Sequence, residues 1–407
     1  MHGLILATII AGAPAAEPNW LRPVWDDAGG RLEIAARAYE PIAGGPRVWL
    51  VGVIHVGEPG YYEAVEALLS ESDVVVFESV LPAGGIPPGG ADDAERAEQT
   101  AATAKLLAHI LAGSTASDWS AAMHALAERE PRMIGIARTL HRDGWGRPWT
   151  FTRARGNAPR QLLSYGSDGM LGGDEYAADI LVDISSEPAE VTGGGLQRTM
   201  AESLGLTFQL DRLPYGDSSW VPGDMSIDEI SAAFEERGER IEDLTDLLEE
   251  KGLFGGLVRG IFGLIPTLDA MFGGRVVDTM HVLLIEMLGN ESAIDVALSM
   301  QGPAFKEVLL DLRNKRAMDV MAAKITDEQT MNSIAVLYGA GHLSGLAELL
   351  AQRSEYEVVD ERWLPAITLE LEHSPLTRSE VDMLRGWVGV VGRQLGTGTA
   401  REPAPEP

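Results

Sequence analysis

The sequence predicts an α/β fold: a mostly parallel sheet flanked by helices, in two halves that each contain a strand–helix–strand unit, with a largely helical middle between them. Three observations lead there. Arg47–Ile54 (RVWLVGVI) and Asp73–Ser79 (DVVVFES) are nearly unbroken apolar, β-rich runs, the pattern of strands covered on both faces. Between them, after the break at Pro59-Gly60, Tyr61, Val65, Leu68 and Leu69 recur at helical spacing, so the segment reads as a βαβ unit with parallel strands and a right-handed crossover. The same order returns near the C-terminus, as a strand over Ser333–Tyr338, a helix over Leu346–Gln352 and a strand over Tyr356–Asp360.

Taken in order, the chain opens with an apolar run, Leu4–Gly12, followed by Ala13-Pro14-Ala15, small residues of the kind a signal peptidase accepts. Residues 1–16 are therefore expected to be a secretory signal and the protein to be exported, to a periplasm or the outside of the cell. The run is too short to span a bilayer. The later apolar stretch 276–288 carries Asp278, His281 and Glu286, so it is no membrane span either. Residues 17–395 are expected to form a single α/β domain whose region from about 81 to 325 is mostly helical. Helices are read over Asp92–Ala112, Ser117–Glu128 and Phe305–Ile325, and Ser226-Ile227-Asp228-Glu229 has the form of a capping box that starts another. Gly166–Gly195, rich in Gly, Asp and Ser, reads as loop, and the glycine-rich apolar stretch Leu253–Ile265 as a core helix or a flap over a cleft. Thr377-Arg378-Ser379-Glu380 caps a last helix ending near Leu395, and residues 396–407 are expected to be disordered.

Composition narrows the partners. The 407 residues carry a net charge of −29, which disfavours nucleic acid and anionic membrane surfaces. There is no cysteine, so disulfides and thiolate zinc sites are excluded. A peptide or small-molecule substrate remains.

Both strand–helix–strand units carry G-x-x-H where the first strand ends: Gly52-Val53-Ile54-His55 and Gly339-Ala340-Gly341-His342. An acidic residue closes the second strand in each, Glu78 in one and Asp360-Glu361 in the other, which hints at two related halves. In an open parallel sheet, ligands bind beyond the carboxyl ends of the strands. His55, Glu78 and His342 are expected to meet there, with Gly52, Gly339 and Gly341 clearing space for backbone or ligand. Two imidazoles and a carboxylate are a natural donor set for a divalent transition metal, whose bound water ionises nearer neutral pH. Glu78 would be a ligand or a general base. The plainer alternatives are a hydrogen-bonded structural histidine and a helix-capping glutamate.

Arg313 shares one face of its helix with Leu309, Ala317 and Val320, and a guanidinium on an apolar stripe needs a partner. It either forms a structural salt bridge, or pairs with Glu78, or clamps a substrate carbonyl or carboxylate; Arg316 lies close enough to substitute. Asp224, in WVPGDM, reads as part of a helix N-cap neighbourhood or, less simply, as a further ligand. His109, His124, His141, His281 and His373 read as structural or solvated. The sequence contains no P-loop, G-x-S-x-G or H-E-x-x-H motif.

These residues resemble the TraB/PrgY/GumN family, which includes the TIKI proteases. The likeness lies in VWLVGVIHVGEPGYYEAVEALLSESDVVVFES and RNKRAMDVMAAKI…SIAVLYGAGHLSGLAELL, with support from GLTFQLDRLPYGDSSWVPGDMSIDEI and RWLPAITL; it covers roughly residues 45–80 and 200–370. The family pattern of two G-x-x-H motifs, a strand-end glutamate and an Arg-Asn on the helix before the second motif falls here on His55, His342, Glu78, Arg313 and Asn314. The resemblance implies a fold related to erythromycin esterase and ChaN and, for some members, metal-dependent peptide cleavage; other members are described as shutting down peptide pheromones. The expectation is thus a peptidase-like hydrolase using manganese, cobalt or zinc. Its metal ligands would be His55, His342 and Glu78, its catalytic residues Glu78 and Arg313, and its supporting residues Gly52, Gly339, Gly341 and Asn314. The alternatives are a protein that sequesters a peptide or small ligand without turnover, and an esterase-like hydrolase that needs no metal.

Overall fold

The computed structural model describes residues 19–82, 84–152, 160–185, 195–239, 263–290, 302–327, 330–353 and 356–394. The expected signal and tail, and residues 253–262 of the apolar glycine-rich stretch, lie outside these; residues 263–265 of that stretch are helical.

The fold is α/β. Its main sheet contains β1 (Leu21–Trp25), β2 (Gly29–Pro41), β3 (Arg47–Val53), β5 (Val74–Phe77), β10 (Trp220–Pro222), β11 (Ser333–Gly339) and β12 (Tyr356–Glu370). Strands β3, β11, β5 and β10 lie side by side and parallel. Strand β2 runs antiparallel to β1, β3 and β12. Six of these strands therefore share one direction, and β2 alone opposes them. Because β12 pairs along the whole of β2, β1 and β3 divide its other edge, taking Gly30–Ile34 and Ala36–Tyr39 respectively. The sheet is thus mixed rather than purely parallel.

The helices of the described residues include α1 (Pro59–Leu69), α2 (Asp93–Ile110), α3 (Trp119–Arg129), α4 (Pro131–Thr139), α5 (Gly195–Ser203), α6 (Ile227–Glu235), α7 (Arg275–Leu288), α8 (Pro303–Lys306), α9 (Arg313–Asp327), α10 (Leu343–Arg353) and α11 (Arg378–Gln394). Alternation along the parallel strands builds two cores. Val51, Val75, Phe77 and Leu337 share one core with α1 and α7, while Leu50, Val76, Val336 and Tyr338 share the other with α9 and α10. Both faces are buried, which is why these strands read as continuous apolar runs. Helix α6 begins with the anticipated capping box: Ser226 Oγ accepts from Glu229 N–H at 3.2 Å and Glu229 accepts from Ser226 N–H at 2.9 Å. Among the described residues no helix is long and apolar enough to cross a membrane.

Among its helices the middle region also carries short strands: Thr150–Phe151 (β6), Arg160–Ser164 (β7) and Ile180–Ile184 (β8) form a small antiparallel sheet, Thr207–Phe208 (β9) pairs with Val56–Gly57 (β4), and β10 joins the main sheet. One expectation is corrected. Asp360-Glu361 does not close a strand, because β12 continues to Glu370; Glu361 instead accepts a hydrogen bond from Arg37 Nε at 2.7 Å. The acidic strand ends therefore do not correspond between the halves. The N-terminal pair β1–β2, for which the sequence prompted no strand, supplies the antiparallel part of the sheet.

Candidate functional site

The four parallel strands end along one edge, and each delivers a functional group just beyond its last residue. His55 follows β3, Glu78 follows β5, Asp224 follows β10, and His342 lies in the 3-10 turn Ala340–His342 that follows β11. Glu78 is held by its backbone, whose N–H donates to Leu337 O at 2.9 Å, so its side chain leaves the edge of β5 toward β11. There Gly339 N–H donates to Glu78 Oε2 at 2.5 Å. A Cβ on Gly339 would stand 3.0 Å from the same oxygen, so the second G-x-x-H glycine clears room for this carboxylate. Gly52 does a different job: a Cβ there would meet Ile34 Cγ2 at 2.7 Å, so its bareness lets β2 pack rather than admitting a ligand. Gly341 is exposed in the 3-10 turn.

Helix α9 brings the counter-charge. A π-helical turn, Glu307–Leu312, leads into Arg313, the first residue of α9; such turns recur at functional sites. The guanidinium grips Asp224 with two hydrogen bonds, Nε to Oδ1 at 2.9 Å and Nη2 to Oδ2 at 2.7 Å. Nη2 also donates to Glu78 Oε1 at 2.6 Å. The Asp224 side chain is fully buried, and those of Arg313 and Glu78 are 10% and 16% exposed. Asp224, read from sequence as a cap neighbourhood, is thus the main anchor of Arg313. Arg316 does not substitute for Arg313; it pairs with Glu229.

His342 faces the same ions. Its Nε2 lies 3.5 Å from Arg313 Nη1 and 3.6 Å from Glu78 Oε1. Its Nδ1 lies 2.7 Å from Asn314 Oδ1, and the Tyr338 ring meets it edge-on at 5.2 Å. His55 is exposed, with its carbonyl accepting from Gln209 N–H at 2.8 Å. It stands close enough to act electrostatically on both Glu78 and His342.

Burial raises the Glu78 pKa, but attraction to the His342 imidazolium that forms in acid, to Arg313, to the Gly339 N–H and to His55 outweighs it, and the carboxyl is held down to about 2. Burial lowers the His342 pKa, with Glu78 opposing and Arg313 reinforcing, so near neutral pH the imidazole is uncharged. Burial also works against the Arg313 charge, yet Asp224 and Glu78 keep its pKa above the ordinary value. The site therefore combines an ionised carboxylate, a neutral imidazole and a guanidinium fixed from below by a second carboxylate.

The donor types suit a divalent transition metal: a buried neutral imidazole, a second imidazole on the neighbouring strand end, and a carboxylate. They are not gathered on one point, and among the described residues no cluster of three or more His, Asp or Glu side chains is placed to hold an ion. Four other histidines have their contacts elsewhere: His281 Nε2 faces Leu204 O at 3.0 Å, His141 Nδ1 faces Arg138 O at 3.0 Å, His373 faces Glu370, and His124 faces Glu128. Comparison with protein-family models, with curated proteins and with solved structures finds no match for this chain.

Proposed function

We propose that the chain is a hydrolase acting on the carbonyl of a peptide or other small molecule, in the manner of the TraB/PrgY/GumN family that its motifs resemble. One observation carries the reading: an imidazole nitrogen, a carboxylate and a guanidinium lie within 3.6 Å of one another at the ends of adjacent parallel strands. His342 Nε2, unprotonated, can take a proton from an attacking water. Glu78 keeps a negative charge beside it and so stabilises the imidazolium that results. Arg313 Nη1, in a plane fixed by Asp224 and only 3.3 Å from Leu309 O, presents an N–H beside His342 Nε2 to a developing oxyanion. A divalent ion, manganese, cobalt or zinc, would be held by His342 Nε2, His55 and Glu78, and when bound supplies a water that ionises nearer neutral pH.

A second reading, the same hydrolysis without metal, is favoured by Arg313. This cation already sits against Glu78 and beside His342 Nε2, where a dication would be repelled. Elemental analysis of protein purified without added metal, beside His342→Ala, separates the two when paired with a screen of peptides and esters with and without chelator. Metal lost in His342→Ala, and chelator-sensitive cleavage that falls about 10²–10⁴-fold in Glu78→Gln, support the metal-dependent enzyme. Chelator-resistant cleavage with the same loss in Glu78→Gln supports the metal-free one. Tight binding of a peptide with no product overturns both and leaves a sequestering protein.

A further inference from the structure

We infer that Asn314 is a positioning residue that locks the neutral His342 ring in its Nδ1–H tautomer, leaving Nε2 bare and turned toward Glu78 and Arg313. The assignment follows from what each atom can do. The Asn314 amide makes two contacts with one residue: Nδ2 lies 3.3 Å from the His342 carbonyl oxygen, and Oδ1 lies 2.7 Å from His342 Nδ1. A carbonyl only accepts, so the amide nitrogen must face it, which turns Oδ1, an acceptor, toward the ring. A ring nitrogen 2.7 Å from an acceptor must carry the proton. The other end of the ring points the same way. At Nε2 the nearest donor is Arg313 Nη1 at 3.5 Å, which favours a lone pair there, and Glu78 Oε1 at 3.6 Å is too far to bind an Nε2–H well.

The surroundings leave the amide little freedom. Asn314 is 2% exposed and His342 6%. Gly345, on the first turn of α10, abuts the amide so closely that a Cβ there would lie 2.6 Å from Asn314 Nδ2. The glycine after the second G-x-x-H motif thus belongs to the same device: it makes room for the group that sets the ring. Arg313 and Asn314 divide the labour between adjacent positions, one addressing the Nε2 side of the site and the other Nδ1.

The inference deepens the proposed function, since both the metal-dependent and the metal-free reading need a bare Nε2; its test reads the ring itself and not turnover. Metal-free protein labelled with ¹⁵N-histidine would be studied by long-range ¹H–¹⁵N correlation near pH 8, about 1.5 units above the ordinary histidine pKa, with the His342 signals assigned by their loss in His342→Gln. The wild type should show a protonated-type Nδ1 and a pyridine-type Nε2. Asn314→Asp should keep that pattern, because a carboxylate still accepts from Nδ1–H. Asn314→Leu should shift the tautomer ratio toward Nε2–H by about tenfold or more. Gly345→Ala, which pushes the amide aside without altering it, should shift it in the same direction and serves if Asn314→Leu does not fold. An Nε2–H signal in the wild type overturns the inference, as does an unchanged Nδ1–H pattern in every folded variant of the pair. Cleavage with the wrong tautomer would leave a hydrolase standing but remove Asn314 and the His342 Nε2 step from it; the right tautomer with no cleavage would leave the positioning role and remove the hydrolase.

Discussion

Arg313 is a charge almost closed off from water, and its stability depends on who holds it. Breaking a buried ion pair by removing one partner costs about 3–5 kcal/mol, because the other charge stays behind uncompensated. Asp224→Ala should cost that much, read from urea midpoints. Arg316→Ala, at a pair whose arginine side chain is 37% exposed, should stay within about 1 kcal/mol. Equal costs would contradict the division of roles between the two arginines. The acid limb of stability follows from the same cluster. Glu78 is held at about 2 against an ordinary 4.5, and His342 lies below its ordinary 6.5. Both folded-state values are depressed, so the unfolded chain takes up protons first and both contributions are lost as pH falls. Stability should begin to decline below about pH 6.5 through His342 and steepen below about pH 4.5 through Glu78. His342→Gln should remove the upper part of that decline and, because His342 is among the groups that hold the Glu78 carboxyl down, shrink the lower part; an unchanged profile would mean that the imidazole is not held neutral. His55, Glu78, His342 and Arg313 were legible because each sits at a recognisable place, a strand end or an apolar helical stripe. The pairing of Asp224 with Arg313 was not, because the two lie 89 residues apart and a lone aspartate before a capping box looks like part of the cap.

At the scale of elements, the short strand β10 matters because it fixes Asp224. Gly223 follows it, donating its N–H to Phe77 O at 3.0 Å, and a Cβ on Gly223 would lie 2.2 Å from Cγ1 of the buried Val76. Gly223→Ala should therefore force β10 off β5, at a cost of about 1–3 kcal/mol for overpacking. Val76→Ala alone leaves a cavity, but in the double variant each change relieves the other. The pair should be less destabilised than the sum of the singles by about 1 kcal/mol, measured as a double-mutant cycle in urea. Strict additivity would show that the two atoms do not meet. The sequence gives no hint of this contact, which joins two strands far apart in the chain. Strand β2 was legible in principle: Leu32, Ile34, Ala36 and Ala38 alternate onto one core. The opposite face hid it, carrying Arg31, Glu33 and Arg37. Those charges are tolerated because they are paired, Arg37 with Glu361 and stacked over Trp20 at 4.1 Å, and Glu33 with Arg22 and Arg31.

Across the whole molecule, the apolar runs disclosed which strands are covered on both faces, but not their order, because pairing partners lie hundreds of residues apart. Strand β11 enters between β3 and β5, so the N-terminal βαβ unit is incomplete until the C-terminal part of the chain arrives. The central cores are thus closed by contacts between the two ends of the sequence. The region from α2 to β8 is different. Leu107, Leu111, Leu126, Ile136, Leu140, Trp149 and Leu162 form a core of their own, built within one continuous stretch of chain. Cooperative opening units tend to follow such contiguous clusters. Amides of β3, β11 and β5 should therefore exchange last and together, at the free energy of global unfolding. Those of α2, α3, α4, β7 and β8 should exchange through a separate opening of lower free energy that leaves the site edge closed. Hydrogen exchange followed by mass spectrometry across a urea series distinguishes this from the alternative. Two families of peptides converging on different denaturant slopes are expected; a single shared isotherm would mean that the middle region is welded to the central sheet despite its separate core, and that loss of either opens the strand ends that carry Glu78 and His342.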